Sequence, residues 1–265
     1  MFRRRFLGRT PDFPPDRRRS RWGAGDGGAG EEDTGRCPES VRAAGGVEIV
    51  EIQSALDRLL AEKRVFVSEA DFQFALAWKI QELHPEATLR LEYIPWECDP
   101  GMHVDIVAFI GRRMFAIELK YKTRASRYRV GHEEVRLKDH GAQDTGRYDF
   151  VLDLRRLERL ADCRAYQVER AWAVLLTNDS GYWRRSSRSG TDSPPVDDEF
   201  RLHEGAELVG VRRWKPGAGP GTTAGRQQPL ELRGSYCIAW RDYQPTAEGK
   251  PFRYAVVEVG GAGPH

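Results

Sequence analysis

His103-Val104-Asp105-Ile106-Val107-Ala108-Phe109-Ile110, then Gly111-Arg112, then Arg113-Met114-Phe115-Ala116-Ile117-Glu118-Leu119-Lys120-Tyr121 is the stretch on which the fold turns. Two runs rich in β-branched and aromatic residues flank a two-residue spacer that begins with glycine, which predicts a β-hairpin. A two-residue turn sets Ile110 opposite Arg113. Counting back pair by pair then sets Asp105 opposite Glu118. Side chains alternate along a strand, so Glu118 and Lys120 share one face, while Ile117 and Leu119 take the other with Val104 and Ile106. Carboxylates facing each other across a strand pair repel. A divalent cation between them removes the conflict, and oxygen-only ligands select Mg²⁺ or Mn²⁺. A neighbouring lysine can orient a water or meet developing negative charge. The plainer alternative is an exposed hairpin face carrying a Glu118–Lys120 surface pair. The strand is apolar on both faces at Val107, Ala108 and Phe109, and charges inside a buried sheet need a reason, which favours the metal.

Working outward, Ile49, Ile52, Leu56, Leu59 and Leu60 recur at helical spacing. Ser68 caps a second helix, with Glu69 and Asp71 at its electropositive end and Phe72 to Leu83 as its body, before Pro85 stops it. Strands are expected over Thr88–Ile94, His103–Ile110 and Met114–Tyr121. A helical stretch over Glu133–Leu160, broken near Asp149, should follow, and then a buried strand over Ala171–Thr177. Further strands are expected at Phe200–Leu202, Leu208–Trp214, Tyr236–Trp240 and Phe252–Val259, with a Pro/Gly-rich loop over Lys215–Gly225.

The chain of 265 residues is 40% hydrophobic and 31% charged, enough to build a core and too polar for an integral membrane protein. Residues 1–46 hold ten arginines and seven acids with few apolar side chains. This predicts a disordered Arg/Gly-rich arm, leaving 47–180 as an α/β core and 181–265 as a C-terminal β-rich extension packed on it. The whole chain carries only +2, so no global basic excess points to nucleic acid. Cys37, Cys98, Cys163 and Cys237 form no CxxC pair, which argues against a disulfide framework or a cysteine zinc site and for a reducing, cytoplasmic setting.

Asp105, twelve further residues and then Glu118-Leu119-Lys120, set in the order helix, three strands, helix, strand, resemble the PD-(D/E)XK, or restriction-endonuclease-like, nuclease superfamily. The resemblance covers Ser68 to Thr177. It implies an α/β restriction-endonuclease-like core and a Mg²⁺-dependent phosphodiesterase acting on DNA, less often RNA. Asp105 and Glu118 would bind the metal with the Leu119 carbonyl, and Lys120 would position the attacking water. A glutamate from the preceding helix would assist, either Glu69 or Glu82. The proline of the family motif is absent, His103-Val104 standing before Asp105. Gln143 and Tyr148 are similar to a glutamine–tyrosine motif of one branch, with four residues between them rather than three; Gln143 is equally read as a polar helix residue, and Asp144 and Arg147 as a surface pair.

Local charge points to the substrate. Nine basic residues lie between Arg112 and Lys138 against three glutamates. Lys122, Arg124, Arg127 and Arg129, with Gln143, are the expected contacts to phosphates; a solvated loop is the plain alternative. Trp183, in a second basic cluster, is a candidate stacking platform for a base. The expectation is thus a nuclease. Its rival is an inactive nucleic-acid-binding or protein-interaction module on the same scaffold.

Overall fold

A computed structural model describes residues 50–260. Helices α1 (Ile52–Ala61) and α2 (Glu69–Leu83) lead into strands β1 (Thr88–Tyr93), β2 (Val104–Ile110) and β3 (Arg113–Lys122). A hairpin, β4 (Ser126–Val130) and β5 (Glu133–Leu137), precedes helix α3 (Gln143–Ala161) and strand β6 (Gln167–Thr177). The remainder holds short helix α4 (Ser180–Trp183), a 3₁₀ turn at Asp198–Phe200, β7 (Glu207–Arg212), short helix α5 (Pro220–Thr223), β8 (Leu230–Cys237), β9 (Trp240–Tyr243) and β10 (Phe252–Gly260).

The chain is a mixed α/β protein. Its six-stranded sheet runs β1-β2-β3-β6-β10-β9. β3 and β6 are parallel, and the other neighbours are antiparallel. The parallel pair needs a crossover, which α3 supplies. α1 and α2 cover one face, burying Leu56, Leu59, Phe72, Leu76 and Ile80 against Ile106, Ile117, Leu119 and Val174. α3 and the β7–β8 ribbon cover the other, where Val151, Leu154 and Leu157 meet Val107, Ala116, Ala173 and Leu175. β6, clad on both sides, is accordingly apolar from Ala171 to Leu176.

From Ile110–Arg113 to Ile106–Ile117 the β2–β3 register is the one expected, the ladder stopping one pair short of Asp105 and Glu118, and Gly111 takes a positive φ of 61° at the turn. Ser68 caps α2, its Oγ accepting from Asp71 N at 3.1 Å. Other expectations are corrected. Glu133–Leu137 is a strand, not the start of a helix: Val135 and Leu137, two apart, bury together while Glu134 and Arg136 are exposed, and Gly131 turns the chain into Glu133 at φ 59°. α3 begins only at Gln143 and runs unbroken through Asp149. Phe200 closes the 3₁₀ turn, and no strand covers Phe200–Leu202; the expected Tyr236–Trp240 strand is split, β8 ending at Cys237 and β9 starting at Trp240. Val104 packs on the α3 side, opposite Ile106. Residues 181–265 do more than pack on a core, since β9 and β10 complete the main sheet. The 1–46 arm lies outside the described residues.

Cys98 and Cys163 are disulfide-bonded, with Cα atoms 5.9 Å apart, while Cys237 is free and exposed. The bond joins the segment after β1 to the end of α3, a proximity that spacing in the chain does not reveal. It removes the reason given above for a reducing compartment. No helix among the described residues is long and apolar enough to cross a membrane.

Gly146 of α3 faces the side chain of Tyr182 in α4. A Cβ there would overlap the Tyr182 hydroxyl and lie 3.3 Å from its Cζ. Tyr182 is buried, and its hydroxyl has no hydrogen-bond partner. Gly146→Ala is therefore expected to destabilise by about 2 kcal/mol in urea unfolding, through overpacking. Adding Tyr182→Phe should recover part of the loss.

Candidate functional site

The cap at Ser68 fixes where α2 starts, and so where its first side chains point. Glu69 Oε2 accepts from Tyr121 N in β3 at 2.6 Å. One turn on, Gln73 Nε2 donates to the carbonyl of Asp105 at 2.7 Å and to Glu92 at 2.8 Å. The first two turns of α2 thus hold both strands that carry the expected site. Glu82, the rival glutamate, pairs with Lys79 at 2.6 Å and Trp78 at 2.7 Å near the other end of the helix.

The paired ladder of β2 and β3 ends at Ile106–Ile117. Asp105 takes up the next strand donor with its side chain, Oδ2 accepting from Leu119 N at 2.5 Å. Beside it Glu118 is buried, and its Oε1 has no hydrogen bond, the nearest cation being Arg156 at 3.3 Å. Lys120 Nζ lies 2.6 Å from Asp153 of α3 and also donates to the Leu119 carbonyl at 3.2 Å. Arg156 reaches Asp153 at 3.2 Å and donates to the His103 carbonyl.

These groups set one another's protonation. Burial pushes Asp105 up to about 6, against the pull of Leu119 N and Lys120, with Asp153 and Glu69 adding to the rise. Burial and the negative charge of Asp153 hold Glu118 well above the usual carboxylate range, and Asp105 adds to this. Burial alone would lower Lys120, but Asp153, Glu118 and Glu69 more than offset it and hold the ammonium charged. Four carboxylates (Glu69, Asp105, Glu118, Asp153) therefore stand against two cations (Lys120, Arg156) in one coupled cluster. Fully ionised, it carries a surplus of two negative charges.

Buried Glu158 gives the contrast. It accepts from Arg233 N, Gly234 N and the Tyr236 hydroxyl, the pattern of a carboxylate kept for structure. Glu118 has no such donors. Among the described residues no group of three or more His, Cys, Asp and Glu side chains is spaced to hold a metal ion. The donors at hand are Asp105, Glu118 and the Leu119 carbonyl. They could hold Mg²⁺, which keeps several waters and needs only one or two carboxylates, and Glu118 Oε1, which has no hydrogen bond, is the atom such an ion would satisfy.

Of the expected phosphate contacts, Arg127 and Arg129 lie on the exposed side of β4, and Lys122 lines a cavity beside Glu69. Arg124 is held by Asp139 and Asp179, each at 3.1 Å, and Gln143 Nε2 donates to the same Asp179 at 2.9 Å. Tyr148 is apart from Gln143's partners, buried against Phe200 and Trp214. Asp144 and Arg147 do not pair: Arg147 is buried against Asp197 at 2.6 Å, and Asp144 accepts from Thr222. Trp183 packs on Trp240 under Arg253. Asp153 and Arg156 were not expected in the site. Their signal was an acid sharing a helical stripe with Phe150 and Leu157, at −3 and +4. Comparison with protein-family models, curated proteins and solved structures gives no match, so the reading of this site rests on its geometry and chemistry.

Proposed function

We propose that the chain is a metal-dependent nuclease with a restriction-endonuclease-like core, hydrolysing phosphodiester bonds in nucleic acid, foremost DNA. The observation that carries this reading is the buried, hydrogen-bond-free Oε1 of Glu118 in a cluster where burial and mutual repulsion push two carboxylates, Asp105 and Glu118, towards protonation. Keeping two such acids in a sheet costs stability, and a divalent cation removes that cost. The succession α2, β1–β3, α3, β6, with β3 and β6 parallel, supports the same core; the β4–β5 hairpin is an insertion in it.

Asp105, Glu118 and the Leu119 carbonyl would hold Mg²⁺ or Mn²⁺, which when bound supplies Lewis-acid stabilisation of charge gathering on the phosphate. Lys120 would donate to the attacking water or to a phosphate oxygen, its charge assured by Asp153. Asp153 is a positioning residue, since it fixes the ammonium without touching substrate. Glu69 anchors the end of β3 and adds negative charge.

One observation favours a non-catalytic scaffold: Lys120 and Arg156 already pair with Asp153 and Glu118, so the cluster is partly balanced from within. Cleavage of single- and double-stranded DNA in Mg²⁺ and in Mn²⁺ separates the two readings. The nuclease should cut, with Asp105→Ala and Lys120→Ala roughly 10²–10³-fold slower, the range for loss of a charge-stabilising group. Wild type that binds DNA and cuts in neither ion makes this a binding module.

A further inference from the structure

The cavity beside Glu69 is lined by cations that the proposed chemistry does not use. It encloses about 510 Å³ between the start of α2, the end of β3 and the segment after β5, with Lys122, Arg136, Lys138 and His140 on its walls. The lysines paired with acids among the described residues are Lys79, Lys120 and Lys215, so Lys122 and Lys138 stand outside every such pair. Arg136 is held by Glu134 at 2.5 Å. Glu69 also borders the cavity, but one of its oxygens is occupied by Tyr121 N.

The walls are held in place. Thr123 Oγ1 donates to the Lys138 carbonyl at 2.7 Å, and His140 N donates to the Thr123 carbonyl at 2.8 Å. Thr123 N donates in turn to His140 Nδ1 at 3.1 Å. With Nδ1 accepting, the neutral imidazole carries its proton on Nε2 and is a donor.

The basic surface continues onto the hairpin. Arg127 stands directly opposite Arg136 across β4 and β5, and Arg129, two residues further along β4, stands opposite Glu134, so this exposed face sets three cations against one acid, itself paired with Arg136. Tyr128, Val135 and Leu137 hold the other side of the ribbon in the core. Like charges directly opposite on a sheet repel. An anion laid across them reverses the sign of that interaction, and a polyanion reaches both the cavity and the ribbon.

We propose that this cavity and the exposed face of β4–β5 form one phosphate track, gripping the backbone of a nucleic-acid strand that enters the site past Glu69. The inference rests on the nucleic-acid part of the function proposed above and not on cleavage. Fixed ammonium and guanidinium groups with no base-reading element beside them recognise backbone rather than sequence.

The test is binding without metal. Anisotropy of a labelled oligonucleotide, single-stranded and duplex, is followed over a salt series in EDTA, for wild type, Lys122→Ala/Lys138→Ala and Arg127→Ala/Arg129→Ala. Each double variant should bind roughly 10-fold or more weakly at low salt, and lower the slope of log affinity against log salt by about 1.4–1.8, from ~0.7–0.9 per phosphate contact. Circular dichroism melts should match wild type, because these side chains sit outside the core. Arg164→Ala, removing an exposed cation at the opposite end of β3, is the control and should leave both quantities unchanged. Unchanged affinity and slope in the double variants, or an equal loss in the control, overturns the track. So does inorganic phosphate or a mononucleotide binding as tightly as the strand, which would make the cavity a small-anion site only. Wild type that binds as expected in EDTA but cuts nothing in Mg²⁺ removes the catalytic reading and leaves the track standing.

Discussion

Asp105→Asn is expected to raise the melting temperature at pH 8 by roughly 6–12 °C while abolishing metal-dependent cleavage. Burial places the folded-state pKa of Asp105 at about 6, above its ordinary value of 3.8. A raised pKa means that the folded protein binds the proton more tightly than the unfolded chain. The contribution to stability is therefore fully present below about pH 4 and is lost as pH rises through 6. At pH 8 the ionised carboxylate costs about 3 kcal/mol, at 1.36 kcal/mol per pKa unit, and for a chain of this size each kcal/mol moves the melting point by roughly 2–4 °C. Asparagine removes the charge, and its carbonyl can still accept from Leu119 N. The gain should shrink to nothing near pH 4, where wild type is protonated. Mg²⁺ should stabilise wild type at pH 8 and leave the variant unmoved. Thermal melts across this pH range, with and without Mg²⁺, check all three, and a variant less stable than wild type at pH 8 rejects the electrostatic account of the site.

Lys120→Met should act in the opposite direction. Asp153 is buried and depends on Lys120 at 2.6 Å, with Arg156 a more distant partner at 3.2 Å. Removing one member of a buried pair leaves an uncompensated charge, and the expected loss is about 3–5 kcal/mol. Urea titration at pH 8 should show it. The double variant Lys120→Met/Asp153→Leu removes both charges and should recover most of that loss. It also separates structure from chemistry: a stable double variant without cleavage assigns the ammonium to the reaction, whereas one that still cuts reduces Lys120 to a structural partner.

The hairpin carrying Asp105, Glu118 and Lys120 was legible because two runs rich in β-branched and aromatic residues, a glycine at the turn and a short spacer all point one way. The α2 boundary was legible through one hydroxyl, that of Ser68. β5 was not. Val135 and Leu137 are only two apolar positions in a charged run, too few to separate a strand from the first turn of the helix that follows. Asp153 was passed over because an acid within a helix is ordinarily solvated, and only the packing of α3 on the sheet shows it facing Lys120. Cys98–Cys163 depended on the same packing, since it links segments that the topology alone brings together.

The position of β10 has a consequence for how the chain is made. It lies between β6 and β9, pairing with β6 from Arg253–Thr177 to Gly260–Arg170. During synthesis every other strand of the sheet leaves the ribosome first, so β6 must wait with an unpaired, Leu- and Val-rich edge. The nascent chain stays vulnerable to aggregation until β10 emerges, the interval in which chaperone capture would matter most.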